Sequence, residues 1–385
     1  VEYQAFAVSP PGFEALLQRE LDRLGVSDGV VEVGGVGFPA DQSRLAQVLI
    51  GSRLASRVLV RVASFSATSF AQLYSRAAAV PWHQWVGRGR AVRLRVTCKK
   101  SRLYHSDAVA ERVASAITAG VTGVQIVTGA ADDDEASDAS QLIVVRFARD
   151  VCTISLDAAG DALHRRGYRQ AVARAPLRET LAAAMLEGAD YTGAMAVVDP
   201  LCGSGTLVIE AAQMALGIAP GLARAFQAEQ WPAAQPGVWS AARTAAASQR
   251  RSAVGFPLEG SDRDAGAIDA AHANAERAGV SEHVAFAVQA LSDAQAPAPR
   301  GLLITNPPYG IRVGEADMVR DLYARFGQVA RECFPGWRVA FLSADRTPGH
   351  ALERQLRLPL KPAWRSSNGG IPVRLLVGEI PRTRR

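Results

Sequence analysis

Apolar residues recur along this chain with two periods, and the points where the period changes mark its elements. Alternation at Gln4–Val8 predicts a strand. Pro10-Pro11-Gly12 then opens a helix whose apolar positions Phe13, Leu16, Leu17, Leu21 and Leu24 follow helical spacing up to Gly25. Val30–Gly37 alternates like a strand, Gln42–Gly51 reads as a helix, and Val58–Phe65 alternates again, with Val58, Val60 and Val62 inward against Arg57, Leu59 and Arg61. Further on, Val92, Leu94 and Val96 alternate with Arg93 and Arg95, a helix is expected from Ser106 to Ala119, and strands around Val124–Val127, Leu142–Phe147 and Val151–Leu156. The acidic run Ala130–Asp138 reads as a solvated loop.

After Asp161 the texture changes. An alanine-rich helix ends at Glu187, and a strand, a glycine-rich turn and a helix follow over Ala196–Leu216. The unit repeats, with a strand ending at Asp262 and a helix from Ala265 to Ala278. Val284–Val288 and Leu302–Thr305 supply further strands, and a helix runs from Met318 to Cys333. Strands alternating with helices through short connections imply a parallel sheet covered on both faces. The last segment breaks this rhythm: Val339–Leu342, Leu356–Leu360 and Val373–Ile380 read mainly as strands, which places an antiparallel hairpin at the sheet edge.

Two signatures sit at strand ends in this half. Asp199-Pro200-Leu201-Cys202-Gly203-Ser204-Gly205-Thr206 is a turn through which backbone can approach a ligand closely, and Asn306-Pro307-Pro308-Tyr309 follows the apolar run Leu302–Ile304. The Asn306 side-chain oxygen and the Pro307 carbonyl can each accept a hydrogen bond from one exocyclic amino group, while the Tyr309 ring stacks on the planar group that carries it. Either signature alone is common. In this order, each after a predicted strand, they point to methyl transfer from S-adenosylmethionine (SAM) to an amine. Direct transfer needs no covalent intermediate, so Cys202 reads as a small loop residue rather than a nucleophile.

The chain has 385 residues, 48% of them hydrophobic, enough for two or three domains. No apolar run approaches the roughly 18 to 20 residues that span a bilayer, and Val1–Pro11 lacks a signal-like pattern, so a soluble, cytoplasmic protein without a membrane partner is expected. Cys98, Cys152, Cys202 and Cys333 are far apart in sequence, and neither a disulfide framework nor a metal ligand set is indicated. The formal net charge of +6 is modest, but its distribution is not. From Gln42 to Ser106 there is no Asp or Glu, whereas Arg44, Arg53, Arg57, Arg61, Arg76, Arg88, Arg90, Arg93, Arg95, Lys99, Lys100 and Arg102 all fall there. Such a block suits a phosphate backbone; the competing reading is that these residues pair with acids elsewhere or solvate a face.

The two signatures, together with Val8-Ser9-Pro10-Pro11-Gly12-Phe13-Glu14, His164-Arg165-Arg166-Gly167-Tyr168-Arg169, Ala175-Pro176-Leu177-Arg178-Glu179-Thr180-Leu181, Ile218-Ala219-Pro220-Gly221 and Asn368-Gly369, give the chain a resemblance to a known family. It resembles the THUMP-domain class of Rossmann-fold RNA methyltransferases, above all the bacterial branch that makes N2-methylguanine in 23S rRNA. The resemblance implies an α/β, Rossmann-like SAM-dependent methyltransferase domain with a mostly parallel sheet and an antiparallel C-terminal hairpin. An α+β ferredoxin-like and THUMP RNA-binding region would precede it. The implied division is residues 1–65 ferredoxin-like, 66–160 THUMP and 161–385 methyltransferase with its linker helix.

Carried over residue by residue, the resemblance implies that Asp199, Gly203, Ser204, Gly205 and Thr206 form the SAM turn and that Asp262 holds the ribose hydroxyls. Asp264 is expected at a helix N-terminus rather than on a ligand. Relatives place an Asp after the third strand to contact adenine; alignment on Phe286 and Val288 puts Ala290 there, which leaves Asp293 as the nearest substitute or as a loop carboxylate. Thr180 is either a cofactor contact or a helix cap. Asn306, Pro307, Pro308 and Tyr309 would carry the chemistry. Arg88, Arg90, Arg93, Arg95, Lys99, Lys100, Arg102, Arg165, Arg166 and Arg312 would touch RNA, with Arg312 alternatively a plain surface residue. The signature also serves adenine N6, cytosine N4 and glutamine amides, so a tRNA guanine, an adenine-N6 substrate and a non-catalytic RNA assembly role stay open as rivals. A single modification is expected, because no second methyltransferase module follows.

Overall fold

A computed structural model describes residues 2–127, 140–170, 177–309, 316–345 and 352–382. The acidic run Ala130–Asp138, the pair Ala175-Pro176 and Arg312 lie outside the described residues. The chain divides into two compact units: Val1–Ser9, Leu21–Leu163 and Arg224–Ala245 form the first, and Pro10–Glu20, His164–Ala223 and Ala246–Arg385 the second.

The chain enters through β1 (Tyr3–Val8), α1 (Glu14–Arg23), β2 (Val30–Glu32), β3 (Gly35–Ala40), α2 (Gln42–Gly51) and β4 (Arg57–Ser66). Next come α3 (Phe70–Ala78), β5 (Ala91–Lys99), α4 (Ser106–Gly120), β6 (Gln125–Val127), β7 (Gln141–Ala148) and β8 (Val151–Asp157). All eight strands join one sheet in the order β2-β3-β1-β4-β8-β7-β5-β6. The first four have the order and antiparallel pairing of a ferredoxin-like fold. β4 binds β1 along its first half and β8 along nearly its whole length, with a register shift between Arg61 and Ala63. The expected division at residues 65/66 therefore falls at the end of a strand that both parts of the sheet share.

The run Val30–Gly37 is two strands, not one. Glu32 pairs with Gly35 across a tight turn in which Gly34 has φ +87° and Val33 is 91% exposed. Val-Glu-Val alternation continues through the turn in sequence, so only the glycine's left-handed backbone shows the reversal. α3 was not foreseen; Ser69 caps it by accepting from the Gln72 N–H at 3.3 Å.

The second unit contains α5 (Glu179–Gly188), β9 (Ala196–Asp199) and α6 (Thr206–Ala215), and α7 (Pro236–Ser248), also unforeseen, ends within it. β10 (Leu258–Asp262), α8 (Ala265–Arg277), β11 (Ala285–Val288), β12 (Gly301–Thr305), α9 (Ala316–Cys333), β13 (Arg338–Ala344), β14 (Lys361–Asn368) and β15 (Ile371–Glu379) complete it. Its sheet has the order β11-β10-β9-β12-β13-β15-β14, parallel from β11 to β13, with β15 inserted antiparallel between β13 and β14. This is the expected Rossmann-like methyltransferase arrangement with its closing hairpin. After β9 the chain winds outward to β11, then returns to lay β12 on the other side of β9, which makes the carboxyl ends of β9 and β12 the switch point where ligands bind in such sheets.

Local chemistry explains the frame. β9 and β12 are buried on both faces, as their unbroken apolar runs require. α9 lays an apolar stripe on the sheet: Tyr323 and Phe326 stand edge-on to Phe341 of β13 at 4.8 and 5.0 Å, and Phe334 meets Trp337 at 5.1 Å. Each such buried side chain contributes roughly 1.5–3 kcal/mol. The expected strand Leu356–Leu360 is not formed; Arg354–Leu356 is a 3-10 turn, Arg357 has φ +50°, and the strand begins at Lys361. Leu356, Leu358 and Leu360 instead pack with the α9 cluster.

Candidate active site

The glycine turn begins where β9 ends. Asp199 is 2% exposed and accepts the Leu201 N–H at 3.1 Å, which folds the chain back at once. The Cys202 N–H reaches the Ser261 carbonyl at 2.9 Å, and the Gly203 N–H donates to Asp262 Oδ2 at 3.1 Å, so the turn is laced to the end of β10. Gly205 then caps α6 with φ +82°. A Cβ there would stand 2.8 Å from Phe286 Cζ and 3.0 Å from Ala271 Cβ, while a Cβ on Gly203 would meet nothing within 4 Å. One glycine is required by packing and by backbone; the other keeps open space in front of the α6 N-terminus, where N–H groups and the helix dipole favour a carboxylate. That space and those donors fit SAM.

Ser204 and Thr206 are buried under the turn. The Ser204 carbonyl accepts from Asn274 Nδ2 of α8 at 3.1 Å, and Arg277 bonds both the Asn274 side-chain oxygen and, at 2.7 Å, the Tyr168 carbonyl. Asn274 has no motif around it in sequence. Asp262 also accepts the Asp264 N–H at 3.0 Å; two of its roughly four lone-pair positions are thus used, and the rest can take ribose hydroxyls. Asp264 is the N-cap of α8, accepting the Gly266 N–H at 2.9 Å. Gln289 ties the next loop to this corner: its N–H reaches the Asp262 carbonyl at 2.9 Å and its side chain the Asp293 carbonyl at 2.6 Å. Asp293 itself is exposed, with Oδ1 accepting from Ser292 at 3.2 Å.

Burial raises two ionisable groups at this corner. Burial pushes the Asp199 carboxyl up to about 7, with Asp262 adding to the rise and the nearby Thr305 hydroxyl and the bond from the Leu201 N–H opposing it. Burial, with Asp199 and Asp262 nearby, also raises the Cys202 thiol, which stays protonated and is no nucleophile. Thr180 is not a cap: Arg178 holds that position, and Thr180 is buried in the first turn of α5. Beside it Glu179, raised by burial to about 7, pairs with Arg169 at 3.2 Å.

Asn306-Pro307-Pro308-Tyr309 leaves the carboxyl end of β12, next to β9 and its turn. The Tyr323 hydroxyl of α9 donates to the Pro308 carbonyl at 3.1 Å, anchoring the proline turn to the core. The Tyr309 hydroxyl donates to Asn306 Oδ1 at 2.7 Å and accepts from Asn368 Nδ2 at 2.9 Å. Burial lifts the Tyr309 phenol to about 12, so it remains an uncharged donor. Asn368 and Tyr323 carried no assigned role in the sequence, although Asn368-Gly369 stood out there as a motif. At this site a planar amine can be bound by Asn306 and stacked by Tyr309 beside a cofactor turn that opens on the same edge of the sheet.

The basic residues part company. In the first unit Lys99, Lys100 and Arg102 are exposed at the end of β5, next to exposed Arg146 and Arg149 of the β7–β8 corner, where the Arg149 N–H bonds the Lys99 carbonyl at 3.2 Å. Arg88 is exposed, Arg90 is half-buried and bonded to Gln230, and Arg93 and Arg95 are half-buried on β5. Other members of the block are spent on acids: Arg44 on Asp28 at 3.0 Å, Arg61 on Glu32 at 2.9 Å, and Arg57 on buried Asp157. In the second unit Arg165 is half-buried. Arg166 corrects the expectation of an RNA contact: its side chain is 2% exposed and pairs with buried Glu210 of α6, which also accepts the Tyr168 hydroxyl at 3.1 Å.

Residues 166–370 match the RMKL-like methyltransferase domain family, and residues 4–59 match the RlmL ferredoxin-like domain. A ribosomal RNA large subunit methyltransferase K/L from Syntrophotalea carbinolica is 37% identical over 98% of this chain, which spans only 54% of that relative. A Synechocystis protein named provisionally as an RNA methyltransferase is 34% identical over 97% of this chain and 96% of its own length. A crystal structure of a protein named provisionally as a methyltransferase, complexed with S-adenosylhomocysteine, is similar along its length, with a TM-score of 0.84 at 26% identity, covering 100% of this chain and 99% of that one. With this fold and this turn, the cofactor is SAM. The chain belongs to the RMKL-like methyltransferase family, with an RlmL-type ferredoxin-like domain at its N-terminal end.

Proposed function

We propose that this protein methylates RNA, transferring the methyl group of SAM to the exocyclic N2 amine of a guanine in 23S rRNA. The observation that carries the reading is the placement of Asn306 and Tyr309 at the end of β12, beside the Asp199–Gly205 turn on β9. SAM supplies a methyl group on a positive sulfonium, so displacement releases a neutral thioether and needs no strong base. The Asn306 oxygen would accept a hydrogen bond from the amine and aim the nitrogen lone pair, the methylated nitrogen would then release its proton to water, and Asp262 and Gly203 would hold the cofactor end. Positioning then supplies most of the rate. A base inside a duplex is out of reach, so the nucleotide is unstacked and Tyr309 replaces its lost neighbour.

The exposed cluster Lys99, Lys100, Arg102, Arg146 and Arg149 supports an RNA partner, as do the names of the relatives, and residues 66–160 would serve as the THUMP part of the RNA-binding region. The test is nucleoside mass spectrometry of ribosomal and transfer RNA from cells with and without the gene, alongside transfer of labelled methyl to large-subunit RNA by the purified protein. Loss of N2-methylguanosine from 23S rRNA is expected. Loss from transfer RNA alone, or of N6-methyladenosine, overturns the assigned target, and unchanged RNA overturns the RNA reading.

A further inference from the structure

The C-terminal hairpin ends at the active site. Asn368, the last residue of β14, pairs with Ile371 across Gly369 and Gly370, whose φ values of +55° and +80° form the tight reversal that two glycines allow. β15 runs antiparallel on β13 with Val373 opposite Ala344, so this hairpin tip lies at the carboxyl edge of the parallel strands. Asn306 emerges on that edge from β12, whose Thr305 lies beside Phe341 of β13. The geometry accounts for a contact between residues 59 apart in sequence: Asn368 Nδ2 donates to the Tyr309 hydroxyl at 2.9 Å, and that hydroxyl donates to Asn306 Oδ1 at 2.7 Å.

The Tyr309 hydroxyl thus has two ties, and they are not equivalent. Asn306 Oδ1 is the acceptor that the substrate amine needs, so arrival of the base competes for that tie. Asn368 stands on a paired hairpin and makes no claim on the amine. We propose that Asn368 is a positioning residue for the methyl-acceptor base: acting through the Tyr309 hydroxyl, it holds the ring in its stacking position while the Asn306 oxygen passes from Tyr309 to the incoming amine. This rests on the reading of Asn306 and Tyr309 as the amine site. The side-chain amide suits the task because it offers both donors and an acceptor, so it can keep the hydroxyl after the O–H leaves Asn306.

The experiment is a double-mutant cycle on single-turnover methyl transfer to large-subunit RNA, using wild type, Asn368→Ala, Tyr309→Phe and the double variant. Asn368→Ala is expected to slow transfer at saturating RNA and SAM by roughly five- to tenfold, the effect of one neutral hydrogen bond, with SAM affinity unchanged within about twofold. In the Tyr309→Phe background the same substitution should cost less than about twofold, because the hydroxyl through which it acts is gone. An equal cost in both backgrounds, which a damaged hairpin would also produce, or no cost in wild type, overturns the proposal; Asn368→Ser should reproduce the pattern. A second arm needs no substrate. In protein labelled with 3-fluorotyrosine, the resonance absent from Tyr309→Phe identifies Tyr309 among the seven tyrosines, and it should shift or broaden in Asn368→Ala. An unmoved resonance overturns the proposal. Wild-type protein that transfers no methyl to RNA would count against the proposed function, and the fluorine arm would then decide the role of Asn368 alone.

Discussion

Replacing Gly203 and Gly205 in turn by alanine separates two demands that the cofactor turn makes. Both residues sit in the left-handed region, at φ +51° and +82°, so each alanine costs roughly 1–2 kcal/mol in backbone conformation alone. At Gly205 the added Cβ also collides with Phe286 Cζ at 2.8 Å and Ala271 Cβ at 3.0 Å. The ring cannot simply turn away, because Phe286 also fills the space beside Gly260, where a Cβ would lie 2.7 Å from Cε1. Overpacking of this kind adds about 1–3 kcal/mol, so Gly205→Ala should lose about 2–5 kcal/mol in urea unfolding of the SAM-free protein. Gly203→Ala meets no atom within 4 Å and should lose only the backbone share. Its methyl group projects into the space assigned to SAM, and calorimetric titration should show affinity falling at least roughly tenfold, out of proportion to the stability loss. Two results would refute the reasoning: Gly205→Ala as stable as Gly203→Ala, or Gly203→Ala binding SAM like wild type.

Three further outcomes follow from buried or clustered charge. Glu210→Ala takes from buried Arg166 the carboxylate that faces it and from Tyr168 its hydrogen-bond acceptor; a loss of about 3–5 kcal/mol in chemical denaturation is expected, and a change under about 1 would show the pair to be idle. Asp199 titrates near 7 in the folded unit against 3.8 without burial, so the native state keeps a proton that the unfolded chain has released, and stability falls as pH rises through that window. Asp199→Asn should flatten the fall and leave the variant more stable than wild type at pH 8 by a few kcal/mol but not at pH 4; a steeper fall contradicts the burial argument. Replacing Lys99, Lys100 and Arg102 together by alanine should weaken RNA binding across sequences and reduce the slope of log affinity against log salt by about 2–3, as measured by filter binding; an unchanged slope would remove this corner from the RNA interface.

The local signatures were legible because their meaning is local. A glycine turn after an apolar strand, an N-cap Asp such as Asp264, and Asn-Pro-Pro-Tyr after Leu302–Ile304 declare backbone conformation and functional groups within a few residues. Period-two and helical spacing likewise placed α2, β4 and α4 within a residue of where they lie. The misreadings have a common cause. Leu356, Leu358 and Leu360 alternate like a strand, yet what they bury against is α9, and Val30–Gly37 alternates straight through a reversal. Arg166 sits among basic residues and reads as surface until Glu210, 44 residues on, is seen to face it.

By itself, then, the chain's sequence determined most strands and helices, the glycine turn after β9 and the Asn-Pro-Pro-Tyr turn after β12, since each is written in contiguous residues whose conformational preferences and donors do not depend on distant partners. Only the tertiary structure decided which basic residues are exposed and which pair with acids, that Asn274 and Gln289 brace the corner of the glycine turn and Asp262, and that Asn368 reaches Tyr309. Those facts depend on strand order and register, which bring together residues that no local pattern connects.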